Sequence, residues 1–244
     1  MQPNHPLERV VGGVAGAQHH WQTRRREAAS SPVPAFTITV AREAGTSGTD
    51  VAQEIGRRLG WQVYDHELLE RIAVEHGLRV SLLESLDEKR QSWLVESMEG
   101  FSQQAHIGET GYVHHLTQTI LSLGAHGGCV IVGRGAGLLL PPATTLRVLL
   151  VAPREDRVAT VMRQRGLSNH DAERWLETAD RERIAFIKDH FQKDSTDPRR
   201  YDLLLNTSRW SVMECADLIL DALGRLGSRA AGALGTLTRS ASEG

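Results

Sequence analysis

Five short apolar runs interrupt a chain whose other apolar residues mostly recur at helical spacing. The runs are Phe36 to Val40, Gln62 to Tyr64, Cys129 to Val132, Leu146 to Val151 and Asp202 to Asn206. Each is short, rich in β-branched residues or leucine, and bounded by turn residues, which predicts strands. The clearest helical pattern follows the first run. Val51, Ala52, Ile55 and Leu59 share one face there, while Gln53, Glu54, Arg57 and Arg58 take the other. Strands alternating with helices predict an α/β fold in three layers, with a five-stranded parallel sheet covered on both faces.

Two stretches depart from simple alternation. Asp65 to Gly128 reads as several helices, with apolar anchors at Leu68, Leu69 and Ile72, at Trp93, Leu94 and Val95, and at Leu116, Ile120, Leu121 and Leu123. Such an insertion is expected to form a helical flap over the carboxyl ends of the strands, where ligands bind in open α/β sheets. Later, a helix from Arg157 to Arg165 turns Val158, Val161 and Met162 inward. Ser168 or Asn169 is then placed to cap a highly charged helix from about Asp171 to His190. Pro198 ends the irregular stretch before the last strand, and Met213 to Leu226 predicts a closing helix. The segment Met1 to Pro34 lacks periodicity and Ser228 to Gly244 is small and polar, so both are expected to be mobile. The organisation read from the chain is one domain over 35–227, containing the insertion at 65–128 and a lid-like region at 160–200.

At 244 residues and 40% apolar, the chain can bury one full α/β core. Its formal charge of −2 gives no global reason to expect nucleic acid or an anionic membrane as partner. No apolar run approaches the roughly 18 residues of a membrane span. Arg24, Arg25 and Arg26 are not followed by the apolar core of a signal peptide, so a cytoplasmic location is expected. Cys129 and Cys215 lie in apolar segments without a CxxC neighbour and read as reduced core residues. Adjacent His114 and His115 diverge by about a hundred degrees on a helix and lack an HExxH context, so no metal ligands are predicted. No serine sits in a GxSxG elbow. Any anion binding falls to local arginines, because lysine occurs only at Lys89, Lys188 and Lys193.

One place suits an anion. Ala41 to Asp50 is a glycine-containing turn between the first strand and its helix, which brings backbone N–H groups and the positive end of a helix dipole together. The same glycines also serve a plain strand-to-helix turn.

Four stretches then carry a resemblance: Ala41-Arg42-Glu43-Ala44-Gly45-Thr46-Ser47-Gly48-Thr49, Tyr64-Asp65-His66-Glu67-Leu68-Leu69, Val130-Ile131-Val132-Gly133-Arg134-Gly135-Ala136, and Asp197-Pro198-Arg199-Arg200-Tyr201-Asp202-Leu203. In this order and at these intervals they resemble the nucleoside monophosphate kinases, most closely the cytidylate kinase-like family, over roughly Ala35 to Leu226. The resemblance implies a P-loop fold that moves a phosphoryl group from ATP, with Mg2+, to a nucleoside monophosphate such as CMP or dCMP. It implies donor-phosphate contacts from Gly45, Thr46, Ser47, Gly48, Thr49 and Asp50. Laid on a P-loop of the family, the usual lysine becomes Gly48, the magnesium-binding hydroxyl becomes Asp50 and the first glycine becomes Arg42. Arg42 is then the cation that the loop itself can offer.

Asp65 and Arg71 match the spacing of the monophosphate-side helix, with Arg71 on the acceptor phosphate, although Asp65 reads equally well as a helix N-cap. Arg134 stands where the family has Gly-Arg-Asp and faces the ligand crevice, while Gly135 replaces the aspartate and bears on cytosine recognition. Asp180, Arg181 and Arg183 resemble the arginine-rich lid, with Arg181 or Arg183 as the catalytic cation and Arg163 and Arg165 as further candidates. A solvated helix face laced with i,i+4 pairs is the other reading of those charges. Three functions follow: a monophosphate kinase, a nucleotide- or phosphate-binding protein that has kept the fold without catalysis, or a P-loop kinase for another small substrate.

Overall fold

The computed structural model describes residues 6–28, 35–105 and 111–242. Its strands are β1 (Thr37–Arg42), β2 (Gln62–Tyr64), β3 (Cys129–Val132), β4 (Thr145–Val151) and β5 (Leu203–Asn206), so every expected run is a strand. They form one parallel sheet in the order β2-β3-β1-β4-β5. Among the described residues α1 (Pro6–Ala28) precedes the sheet and α2 (Gly48–Leu59) follows β1. Between β2 and β3 lie α3 (His66–Val74), α4 (His76–Glu84), α5 (Glu88–Ala105) and α6 (Tyr112–His126). The short α7 (Ala136–Leu139) follows β3, α8 (Arg154–Arg165) and α9 (Asn169–Phe191) separate β4 from β5, and α10 (Val212–Ser242) closes the chain.

Alternation along the strands divides the core. Ile38, Val40, Val130, Val132, Leu146, Val148 and Leu150 meet Val51, Ala52 and Ile55 of α2 and Cys215, Ala216 and Ile219 of α10. On the opposite face Tyr64, Cys129 and Ile131 are buried with Leu68, Leu69, Ile72, Leu116, Ile120 and Leu123. The helical insertion therefore packs its apolar side against this face of the sheet. A third cluster joins Val158 and Val161 of α8 to Ala172 and Leu176 of α9, and it includes Ala44 from the turn after β1. Ser168 caps α9, its hydroxyl accepting from the Asp171 N–H at 3.2 Å. Both cysteines are buried and unpaired. Among the described residues, no helix is long and apolar enough to cross a membrane.

The termini differ from expectation. Where a mobile extension was expected, Pro6–Ala28 is a helix whose Ala17 and Trp21 are buried in the core. Trp21 Nε1 donates to the Tyr64 hydroxyl at 2.9 Å, and His20 Nδ1 lies 2.9 Å from that same oxygen. The physical reason is long-range docking of one large aromatic, which leaves no periodic trace in a segment containing Gly12, Gly13 and Gly16. Residues 1–5 and 29–34 of the expected extension lie outside the described residues. At the other end α10 continues to Ser242, across most of the tail that was expected to be mobile. Gly244 and its neighbour at 243 lie outside the described residues.

Register brings the site together. Val40 stands opposite both Val132 and Val148, so the turns after β1 and β3 leave the sheet side by side. The Gly133 N–H donates to the Val40 carbonyl at 3.0 Å, which fixes the two turns against each other.

Candidate active site

The turn after β1 is shaped by two left-handed residues, Gly45 at φ 81° and Ser47 at φ 52°. Glycine is required at 45, because a Cβ there would lie 2.7 Å from the Arg157 carbonyl oxygen. Ser47 opens α2 without a side-chain cap bond, so the first-turn N–H groups are not claimed by its hydroxyl. Thr46 is buried and its hydroxyl donates to the Glu43 carbonyl at 2.9 Å, whereas Thr49 and Asp50 are exposed on the first turn of α2. Beside the loop lies a cavity of about 370 Å³ lined by Gly45, Thr46, Ser47, Thr160, Arg163 and Trp210, among others.

Arg42 crosses in front of this helix start. A Cβ built on Gly48 would lie 2.7 Å from Arg42 Cδ, and one on Gly133 would lie 2.6 Å from Arg42 Nη1. The arginine stem therefore fills the volume that a side chain at 48 would take, and the guanidinium ends between the turns of β1 and β3. Burial pulls its pKa down from 12.5 to about 10, Arg183 and Arg134 add to the fall, and Asp65 opposes it. Among the described residues it has no ion-pair partner. A desolvated guanidinium beside like charges is a group that an anionic ligand stabilises.

Arg134 occupies an unusual backbone position. Gly133, Arg134 and Gly135 are left-handed in succession, at φ 79°, 51° and 70°. That turn throws the Arg134 side chain toward α3, where Nη2 lies 2.8 Å from His66 Nδ1 and also pairs with Glu70. The guanidinium stacks 4.8 Å above the Phe186 ring. Tyr112 donates to the same Glu70 carboxylate at 2.9 Å. Burial, followed by the neighbouring Arg134 charge, lowers the His66 pKa. Asp65 caps α3 by accepting from the Leu68 N–H at 3.0 Å, and its field still reaches Arg42. Arg71 is not part of this group: it is exposed and lies 3.4 Å from Glu75.

The lid candidates divide in the same way. Arg183 lies 3.6 Å from Asp180, and its buried Nη1 makes no hydrogen bond. Its pKa is lowered by burial, with Arg134 contributing, so it joins Arg42 and Arg134. Arg181 is exposed and, among the described residues, makes only a long contact to the Thr178 hydroxyl, at 3.5 Å. Arg165 stacks on Trp175 at 4.0 Å, away from the crevice.

Two acidic residues take up long-range contacts: Glu70, which the sequence reading passed over, and Asp180, which it grouped with the lid arginines. Glu70 neutralises Arg134. Asp180 ties the lid to the loop, accepting from the Ala44 N–H at 2.7 Å and from Arg157 Nη1 at 2.5 Å. The sequence placed Asp180 in the lid-like stretch three residues before Arg183, with no sign of its contact to Ala44.

Between the sheet and α9 lies a second cavity, of about 400 Å³, with Arg42, Arg134 and Arg183 at its polar end and Leu138, Leu149 and Ile184 among its apolar walls. The phosphate-type loop thus stands between two cavities. Three converging guanidinium groups beside a helix N-terminus suit stabilisation of charge on phosphoryl oxygens. Among the described residues, no group of three or more His, Cys, Asp or Glu is arranged to hold a metal ion.

A model of the cytidylate kinase-like family matches residues 37–209, more than half of the chain, including Arg42, Arg134 and Arg183. The cytidylate kinase of Methanopyrus kandleri is 24% identical over 190 residues, covering 78% of this chain and 93% of that protein. The cytidylate kinase of Pyrococcus horikoshii is 26% identical over 208 residues, covering 81% and 96%. Among solved structures, an uncharacterized protein from Eubacterium ventriosum shares the fold, with a TM-score of 0.62 at 21% identity over 78% of this chain and 98% of that one.

Proposed function

Because the chain belongs to the cytidylate kinase-like family, we propose that it transfers the γ-phosphoryl group of ATP to a nucleoside monophosphate, with CMP or dCMP as acceptor. The observation that carries this reading is the course of Arg42, whose stem fills the space over Gly48 and whose guanidinium shares a cavity with Arg134 and Arg183. A cation delivered from strand β1 stands in for one on helix α2.

In this reading the backbone N–H groups of Gly45 to Thr49 hold the donor phosphates, and the cavity bounded by Arg163 and Trp210 takes the rest of the donor. The acceptor phosphate lies on Arg42, Arg134 and Arg183, displacing Glu70 from Arg134. An acceptor phosphate oxygen forms a bond to the γ-phosphorus as the bond from that phosphorus to the β,γ-bridging oxygen breaks, leaving ADP and a nucleoside diphosphate. The three guanidinium groups oppose the charge that spreads over the transferring group. Asp50, exposed on the first turn of α2, would hold a magnesium ion, which would supply charge neutralisation to the donor phosphates. Arg71 and Arg181, both exposed, are assigned no ligand contact. At position 135 a Cβ would lie 2.8 Å from Phe191, so selection among bases rests on an apolar wall there in place of a carboxylate.

A second reading, nucleotide binding without turnover, is favoured by one observation: α2 carries no cation in its first turn, and Asp180 already holds the Ala44 amide. Incubating the purified protein with ATP, magnesium and each nucleoside monophosphate separates the two. Phosphorus NMR should detect ADP and a nucleoside diphosphate, with CMP or dCMP converted fastest. Saturable binding of an ATP analogue by calorimetry, with no diphosphate formed from any acceptor, would establish the second reading and eliminate the first.

A further inference from the structure

A third cavity, of about 380 Å³, lies on the far side of α7 from the arginine-ended one and is lined by Arg147, Lys193, Arg200, Trp93 and Ser97 together with α7 and the turn after it. Among the described residues, no carboxylate lines it. We propose that this cavity is a separate binding site for the phosphoryl group of a small phosphate ester, held by Lys193 and Arg200 with Trp93 offering an aromatic face.

The charges of the three cations are unequally satisfied. Arg147 is occupied by Asp202, its Nη2 donating at 2.7 Å and its Nε at 3.0 Å, which leaves Nη1 without a hydrogen bond among the described residues. Lys193 has no carboxylate within ion-pair distance among the described residues, and its ammonium donates only to the Leu138 carbonyl. An ammonium carries three donors, so two remain. Arg200 has a buried Nε with no hydrogen-bond acceptor, and the nearest carboxylate oxygen, on Asp197, is 4.0 Å away. That carboxylate is already engaged by Arg199, at 2.9 Å and 3.2 Å. Asp194 accepts from the Thr196 N–H and hydroxyl at 2.8 Å and 2.6 Å and so is also committed. Burial, followed by the nearby Arg200 charge, lowers the Lys193 pKa, as two cations without a shared counter-charge require.

A phosphoryl group answers this arrangement better than a carboxylate, because three oxygens can meet the spare donors of Lys193, Arg200 and Arg147 together. The volume leaves room for an organic body against Trp93. Gly137 and Leu138 line this cavity and the arginine-ended one alike, so an anion that draws Lys193 from the Leu138 carbonyl acts on the segment that begins at Arg134.

The test uses the full chain, titrated with phenyl phosphate, inorganic phosphate and sulfate while tryptophan fluorescence and heat are recorded. Phenyl phosphate should bind saturably, more tightly than phosphate, and quench fluorescence. In Trp93→Phe the quench should disappear while the heat remains. Lys193→Ala with Arg200→Ala should weaken binding about tenfold or more, the loss of at least one charge-assisted hydrogen bond, and Lys193→Arg should retain it. Arg42→Ala should leave the fluorescence titration unchanged. Unaltered affinity in the double variant, provided its melting curve shows it folded, would overturn the site. So would a quench that survives Trp93→Phe, a titration that follows Arg42 instead, or equal weak binding of sulfate and both phosphates.

Discussion

Replacing Arg42 by methionine should move stability and activity in opposite directions. Methionine keeps an unbranched stem against Gly48 and removes the charge. The fall in the Arg42 pKa from 12.5 to about 10, at about 1.4 kcal/mol per pH unit, puts the cost of holding this guanidinium charged at about 3 kcal/mol. That figure is already net of the attraction of Asp65, so the free protein should gain up to about 3 kcal/mol. For a domain of this size 1 kcal/mol moves the melting temperature by about 2–4 °C, so calorimetry should find the variant melting several degrees higher. A phosphoryl-transfer assay should find kcat/KM lower by about 10²–10³-fold, the scale of losing one preorganised charge at a transition state. With ATP and the acceptor at saturation the stability difference should shrink or reverse, because the ligand supplies the missing counter-charge to the wild-type protein only. A methionine variant that melts lower and turns over normally would show that Arg42 is a packing element, and the charge argument would fail.

Other perturbations test other links. Glu70→Gln releases Arg134 from a competing ion pair worth about 1 kcal/mol, so the acceptor KM should fall about fivefold with little change in kcat, and an unchanged or raised KM would refute the competition. Gly48→Lys alone should meet the Arg42 stem, lowering the melting temperature without improving turnover, whereas Gly48→Lys with Arg42→Ala should recover about tenfold or more of the activity lost in Arg42→Ala; additive losses would refute the shared volume. His126 is buried, with Nε2 lying 2.8 Å from the Ser85 hydroxyl, and burial holds its pKa down at about 3. The unfolded chain therefore binds a proton below about pH 6.5 that the folded one does not. Stability is complete above that pH and falls as pH drops toward 3, by about 2 kcal/mol at pH 5; urea midpoints should show this slope in wild type, and a slope equal in His126→Gln would exclude His126 as its source. Trp21→Ala removes a fully buried aromatic at a cost of about 3–5 kcal/mol, which circular dichroism should register as a melting temperature lower by roughly 10 °C, and an unchanged melting curve would mean that α1 does not dock.

What the sequence disclosed follows from the range of each interaction. All five strands and the buried face of α2 were readable because periods of 2 and 3.6 are local. The caps at Asp65 and Ser168 were readable for the same reason. Arg134 was singled out by its position at a strand end and Arg183 by the resemblance of its helix to the family's lid, and both line the arginine-ended cavity. Arg71 shows the limit of spacing. It and Glu70 are neighbours in sequence, but about a hundred degrees of helix separates them, and Glu70 is the one that meets Arg134 across 64 residues. Asp180 reaches Ala44 across 136 residues, which no local pattern encodes. Helix α1 was hidden by its glycines and histidines, since its position depends on Trp21 and on a hydroxyl of β2.

The docked N-terminal helix changes where this protein can be cut. Shared ancestry is visible over residues 37–209, yet Trp21 on one side of that window and Cys215, Ala216 and Ile219 on the other are core residues. The inherited unit and the cooperative unit are different lengths of chain. A polypeptide trimmed to the matched window would keep Arg42, Arg134 and Arg183 and expose apolar surface on both faces of its sheet. For anyone moving this domain into a fusion, or comparing it with relatives whose ends differ, the flanking helices are the parts to keep.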